Sequence, residues 1–146
     1  MTASRSDRPC KDCVAEGVTT RRPAPNPGPR CASHHRAVRR QRSARQHGRH
    51  IDKTYGITIE EYTALFVAQG GACAICQRAY GKTKRLCVDH EHNKPGCDHL
   101  PETGCRNCIN GLTCNTCNRI VLGRYDVDSL ARAIMYILDP PARKVL

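Results

Sequence analysis

Four Cys-x-x-Cys pairs are packed into a chain of 146 residues: Cys10/Cys13, Cys73/Cys76, Cys105/Cys108 and Cys114/Cys117. Two residues between thiols let one tight turn aim both sulfurs at a single tetrahedral ion, with backbone amides close enough to offset their charge. A lone pair could be a redox motif, but such motifs sit between a strand and a helix, and that context is missing here. Apolar burial offers the chain little. Leu, Ile, Val and Phe together number 25, or 17%, Trp is absent, and the formal charge is +11. A chain so poor in core residues and so charged defaults to disorder unless something else holds it. Eleven cysteines and seven histidines point to metal as that brace.

The spacings suggest how many ions. Cys10-x2-Cys13-x17-Cys31-x2-His34 falls within the zinc-ribbon pattern, with His35 as the alternative fourth ligand. Cys73/Cys76 and Cys114/Cys117 form a second set, but the 37 residues between them exceed a usual ribbon and must enclose an insert. Inside lies Cys97-x-His99-x5-Cys105-x2-Cys108, a plausible third set. Spacing alone leaves the pairing open, because Cys105/Cys108 could share an ion with either flanking pair. Cys87 is left over and reads as a small buried hydrophobe on a strand.

Other classes drop out. No window approaches 18 apolar residues, so neither a transmembrane helix nor a membrane partner is expected. The opening MTASRSDRPCKDC lacks the apolar stretch of an export signal, so a cytoplasmic location with reduced thiols is expected. The length allows one compact domain and a smaller module. The expected organisation is a zinc-ribbon-like module over 1–35 with an extended loop at Pro23–Pro29, a basic helix or linker over 36–54, and a domain over 55–146. Thr58-Ile59-Glu60-Glu61 predicts a capping box before a helix with Ile59, Tyr62, Leu65 and Phe66 on one face, stopped by Gly70-Gly71. Leu130, Ile134, Ile137 and Leu138 predict a last helix, ended by Pro140-Pro141, whose apolar face is expected to pack on the core.

Charge is uneven along the chain. Residues 1–55 carry 13 Lys/Arg against 4 Asp/Glu, and residues 56–146 carry 11 against 9. The surplus peaks over residues 35–50, which hold no acid and present Arg36, Arg39, Arg40, Arg42, Arg45 and Arg49. Arginine-rich runs without counter-charge suit polyanion backbones, so this segment is expected to face nucleic acid. A merely solvated helix is the bland alternative.

Leu86-Cys87-Val88 is a short β-like run ending in Asp89-His90-Glu91-His92. Metal-assisted phosphodiester hydrolysis needs such groups. A hard divalent cation takes oxygen ligands, which Asp89 can supply, and a neutral imidazole such as His90 can deprotonate water. Polar surface or extra zinc ligands would also account for the cluster.

Four stretches in order carry a resemblance: Tyr55-Gly56-Ile57-Thr58-x-Glu60-Glu61-Tyr62, Gly70-Gly71-x-Cys73-x-Ile75-Cys76, Val88-Asp89-His90-x-His92 and Gly111-Leu112-x-Cys114-Asn115-x-Cys117-Asn118. Over about residues 51–138 the chain resembles the phage recombination endonuclease VII branch of the HNH nucleases. The resemblance implies an α+β fold with a ββα-metal (HNH) core, flanking helices and a structural zinc, in an enzyme that cleaves DNA, including branched junctions in the founding type. It implies that Cys73, Cys76, Cys114 and Cys117 hold that zinc, which leaves Cys97, His99, Cys105 and Cys108 to a further ion. It also implies that Asp89 and Asn118 bind a catalytic Mg²⁺ or Mn²⁺, that His90 is the general base, and that His92 contacts the scissile phosphate or aids the leaving group. DNA is the implied partner; a homodimer and phage packaging or recombination proteins are further candidates. Two departures stand out: Val121 replaces an acidic residue found three positions after the asparagine in the founding type, and the stretch from His92 to Cys114 is longer than in the shortest members. The competing reading is a non-enzymatic zinc-ribbon DNA-binding or adaptor protein.

Overall fold

With so few apolar residues, burial is concentrated in two small cores, each organised around sulfur. The computed structural model describes residues 8–18, 22–92, 94–100 and 102–146. The first seven residues, on which the export-signal expectation partly rests, lie outside the described residues. The chain divides into two compact units, Met1–His50 and Ile51–Leu146.

The first unit holds α1 (Lys11–Ala15) and most of α2 (Ala32–Tyr55), which runs without a break past the boundary between the units. Its core is Cys10, Cys13, Ala24 and Cys31, all at most 4% exposed. Three of the four are thiols, so little but sulfur chemistry can hold this unit together. The proline-rich loop is pinned by bridges between Pro9 and Pro23 and between Asn26 and Arg30. Arg30 donates to the Asp12 carboxylate at 2.7 Å. The arginine-rich run is fully helical, and Arg36, Arg39, Arg40, Arg42, Arg45 and Arg49 are all exposed. At about 100° per residue they fall into two groups on roughly opposite sides, Arg36/Arg39/Arg40 and Arg42/Arg45/Arg49.

The second unit begins with the last turn of α2 and then α3 (Ile59–Ala68). The capping box forms as its sequence predicts: Glu61 N–H donates to Thr58 Oγ1, and Thr58 N–H donates to Glu61 Oε2. Gly70 and Gly71 follow at φ 73° and 72°, a left-handed pair in which the helix cannot continue. Strands β1 (Cys87–His90) and β2 (Ile109–Thr113) form a two-stranded antiparallel sheet. A π-helical segment, Cys117–Leu122, follows, and then α4 (Val127–Leu138). The core joins Ile51, Ile57, Tyr62, Leu86, Val88 and Leu112 to the thiols of Cys73 and Cys117. Gln69 bolts α3 to β2: its amide nitrogen donates to Leu112 O at 2.8 Å, and its Oε1 accepts from Leu112 N–H at 2.7 Å. A Cβ at Gly111 would stand 2.9 Å from that Oε1, so the close approach needs glycine.

In α3, Tyr62, Leu65 and Phe66 pack on the core, while Ile59, in the first turn of the same helix, stays 36% exposed. Two expectations are corrected. Cys87 opens a strand as expected, yet it is only half-buried. The largest change is α4, which contributes no buried residue: Ile134, Ile137 and Leu138 are 59%, 72% and 65% exposed. The buried core draws on Ile51, Ile57, α3, the sheet and the thiols, and none of its members comes from α4. Among the described residues, no helix is long and apolar enough to cross a membrane.

Candidate metal centres and active site

Three groups of four donors converge: Cys10/Cys13/Cys31/His34, Cys73/Cys76/Cys114/Cys117 and Cys97/His99/Cys105/Cys108, with ligand atoms within 4.8 Å of one another in each. All eleven cysteines are unbonded. The sulfur separations Cys13–Cys31 (3.9 Å) and Cys76–Cys114 (4.0 Å) are near the roughly 3.8 Å edge of a tetrahedron with 2.3 Å zinc–sulfur bonds. The donor chemistry therefore fits zinc at all three. Of the two candidate fourth ligands, His34 joins this group: its Nδ1 lies 3.3–3.4 Å from the sulfurs of Cys10, Cys13 and Cys31. Its Nε2 meets the Glu16 carboxylate at 3.0 Å, the outer partner that fixes a ligating imidazole in one tautomer. In the 97–108 cluster, His99 instead offers Nε2, 3.3 Å from Cys108 Sγ.

Backbone geometry prepares the thiolates. Cys114 N–H donates to Cys73 Sγ at 3.2 Å, Cys117 N–H to Cys114 Sγ at 3.4 Å, and Cys105 N–H to Cys108 Sγ at 3.0 Å. Backbone N–H groups of Arg78 and Ala79 hold the Cys76 thiol down at about 6, and Ser33 with the His34 N–H does the same for Cys31. Burial and neighbouring sulfurs push Cys117 up to about 12 and Cys13 to about 11. Crowded thiols that titrate this far apart are what a divalent ion reconciles, because it takes all four ligands deprotonated.

Between the halves of the central knuckle, β1 carries Asp89 and His90, and the segment after β2 carries Asn118. The knuckle fixes Asn118: its N–H donates to Cys114 O at 2.9 Å, while its side-chain amide donates to Thr113 Oγ1 at 3.2 Å and Asp89 Oδ1 at 3.3 Å. A carboxylate and an amide thus share one small, half-buried spot, a donor set that suits a hard cation once the amide presents its oxygen. His90 is next along the strand. Its ring meets Tyr55 edge-on at 5.5 Å between centroids and lies 4.5 Å from His92, which is exposed. Burial, with the charges of Cys87 and Asp89, pushes the Tyr55 phenol up, so it keeps its proton beside the site. Val121 lies in the π-helical segment, so that segment offers no third acidic oxygen after Asn118.

The 97–108 loop packs directly on this site. Glu91 N–H donates to Cys108 O at 2.8 Å, Gly104 N–H donates to Thr54 O at 2.8 Å, and a Cβ on Gly104 would meet the Tyr55 and His90 rings at 3.0 and 3.2 Å. Arg106 reaches across to the capping carboxylate of Glu61, tying the loop to α3. Sequence reasoning missed several supporting residues. Asn110 is the extra residue of a bulge where the register shifts between Asp89 and His90, and its amide donates to Asp89 Oδ2 at 3.1 Å. Nothing in the sequence marks that bulge, and nothing local pairs Glu16 with a histidine 18 residues away.

A family model described as recombination endonuclease VII matches residues 48–139. The gene 59 proteins of Mycobacterium phage D29 and Mycobacterium phage L5 are each 48% identical to the chain over 141 residues, which is 95% of this chain and 78% and 79% of theirs. No solved structure matches it.

Proposed function

The chain belongs to the recombination endonuclease VII family, and from that premise we propose that it is a metal-dependent DNA endonuclease of the HNH type, acting at branched junctions or at recombination and packaging intermediates. The observation that carries the reading is the contact of Asn118 with Asp89 beside a four-cysteine knuckle, with His90 next to Asp89 on the strand, in the order strand, strand, helix over residues 87–122. That order supports a ββα-metal core.

In this mechanism Asp89 and Asn118 hold the divalent cation, Mg²⁺ or Mn²⁺. When bound, the cation neutralises charge that develops on the phosphate and the departing oxygen. His90 takes a proton from the attacking water, and its ring is steadied for this by Tyr55 on one side and Gly104 on another. His92, exposed beside it, contacts the scissile phosphate or protonates the leaving 3′ oxygen. Asn110 keeps the Asp89 carboxylate turned toward Asn118. The 1–50 unit binds its own zinc through Cys10, Cys13, Cys31 and His34, and the six arginines of α2 grip DNA phosphates without reading sequence. The 97–108 cluster binds a third zinc. Such an enzyme works in the host-cell cytoplasm alongside phage recombination or packaging proteins.

The test is cleavage of supercoiled plasmid and of a synthetic four-way junction with and without Mg²⁺ or Mn²⁺. Metal-dependent nicking is the expected result. Tight DNA binding with no cleavage under either ion would instead establish the adaptor reading.

Cutting both strands requires two active sites, and the uncovered face of α4 supplies a means of pairing two copies. Ile134, Ile137 and Leu138 are apolar and mostly exposed, a patch that a second copy's α4 would bury. Light scattering of the wild-type chain should report a dimer, and Ile134→Glu with Ile137→Glu should give a folded monomer that still nicks. A monomeric wild type would remove the pairing from the proposal.

A further inference from the structure

The near-balance of charge after residue 55 conceals a basic loop within the catalytic unit. Over residues 78–85 stand Arg78, Lys82, Lys84 and Arg85, with Tyr80 among them and no acid. These five residues are exposed, and they line an open groove of about 390 Å³ together with Asn115 and Thr116 of the knuckle. No carboxylate lines the groove among the described residues. Arg78, Lys82 and Lys84 enter no ion pair among the described residues, so their charge is not consumed within the fold.

The groove is held at both ends. On one side Cys73 N–H donates to Ala79 O at 2.9 Å, and Cys76 belongs to the four-sulfur cluster. On the other, Leu86 is 4% exposed and its carbonyl accepts from the Tyr62 hydroxyl at 2.9 Å. Between them Gly81 turns at φ 64°, its Cβ position 3.7 Å from the side chains of Leu86 and Phe66. Both walls lead to the proposed cleavage site: Leu86 precedes Asp89 by three residues, and Thr116 precedes Asn118 by two.

We propose that this groove binds a single-stranded segment of DNA next to the cleavage site, with Arg78, Lys82 and Lys84 on its phosphates and an unpaired base stacked on Tyr80. The inference rests on the nuclease reading for its substrate and deepens it. Positive grooves that carry an exposed aromatic ring are the general solution for single strands, because every base has a π-face and only an unpaired base can present it. Lys82 Nζ lies 6.0 Å from the Tyr80 ring centroid, so a phosphate held by Lys82 brings its base within reach of the ring. The arginines of α2 come with no Phe, Tyr or Trp over 36–49 and suit duplex backbone instead.

Fluorescence anisotropy without Mg²⁺ tests this on the full-length, zinc-loaded chain, using a blunt duplex and the same duplex with a single-stranded tail. Tyr80→Ala should weaken binding of the tailed DNA about 5- to 100-fold while the blunt duplex changes less than about twofold; Tyr80→Phe should behave as wild type. Lys82→Ala with Lys84→Ala should lower the salt slope for the tailed DNA by about 1.4, at roughly 0.7 for each single-strand phosphate that is no longer neutralised. Unchanged zinc content establishes that each variant is folded. Equal weakening on the two DNAs, or none on either, overturns the groove. Cleavage by the wild type with Mg²⁺, scored on the same preparation, separates the two readings. Cleavage with an indifferent Tyr80→Ala sinks the groove alone, whereas a Tyr80-dependent preference for tails without cleavage sinks the nuclease alone.

Discussion

Alanine at Cys73 or Cys117 should unfold the 51–146 unit outright, and a strong chelator should do the same to the wild type. These cysteines are 0% and 5% exposed and sit inside the apolar cluster with Ile51, Leu86 and Leu112, so an ion held by them would be part of the core. A structural zinc in small domains contributes about 10–16 kcal/mol of apparent binding free energy. The net stability of a whole domain is about 5–15 kcal/mol. Losing the ion therefore removes as much as the fold has to give, and the few apolar side chains cannot compensate. Two contrasts make the expectation specific. Cys87→Ala, at a half-buried cysteine outside every cluster, should leave zinc content unchanged and the melting temperature nearly so. Cys97→Ala, in the more exposed third cluster, should release one zinc and loosen the 97–108 loop while the sheet survives, since of that set only Cys108 is buried. Far-UV circular dichroism, thermal melts and metal analysis on the four variants decide it. A zinc-free but folded Cys73→Ala protein would show that apolar packing holds the fold after all.

What could be read from the sequence divides along a physical line. Ligand spacing is local chemistry, so Cys-x-x-Cys and Cys-x2-His patterns name the N-terminal donor set, but they leave open which pairs share an ion over 73–117; the resemblance implies one pairing there, and the structure brings those same residues together. Helix caps are local too, and Thr58/Glu61 closes as its spacing requires. The choice between His34 and His35 was beyond spacing, because both lie at the start of α2; the turn of that helix aims only His34 Nδ1 at the sulfurs. Burial of a helix face depends on what is left to cover, which is why α4 carries a clear apolar period yet stays exposed. Asn110 needed the register of two strands that lie far apart in sequence. The groove at 78–85 is hidden in the net charge of residues 56–146, whose acids lie elsewhere, and only the fold brings the loop to Asn115 and Thr116 with no carboxylate in the lining.

His90→Ala should lower cleavage about 10²- to 10⁴-fold, the usual contribution of one positioned acid–base group, without changing zinc content or melting temperature. The stability half of this expectation follows from geometry. His90 is half-buried at the end of β1, where its backbone pairs with Ile109, and none of the three zinc clusters includes it. Its ring touches Tyr55 and lies beside Gly104, so removing it opens a small surface gap and no cavity in the core. The catalytic half depends on which histidine does the work. His92 lies 4.5 Å away and carries the same chemistry, but it is exposed, whereas His90 is half-buried against Tyr55. A base must be held within hydrogen-bond reach of the proton it takes, so the packed ring is the better base and the exposed one the better phosphate contact. The two single variants should therefore differ in kind. His90→Ala should lower kcat at every pH, with binding of uncleaved DNA unchanged. His92→Ala should cost less in kcat and show part of its effect in KM. Asp89→Asn should be distinguishable from both, because added Mn²⁺ shifts the metal dependence of a ligand variant and cannot restore a missing base. If His90→Ala cleaves normally while His92→Ala does not, the base has been assigned to the wrong ring, and the Tyr55–Gly104 packing serves the strand rather than the chemistry.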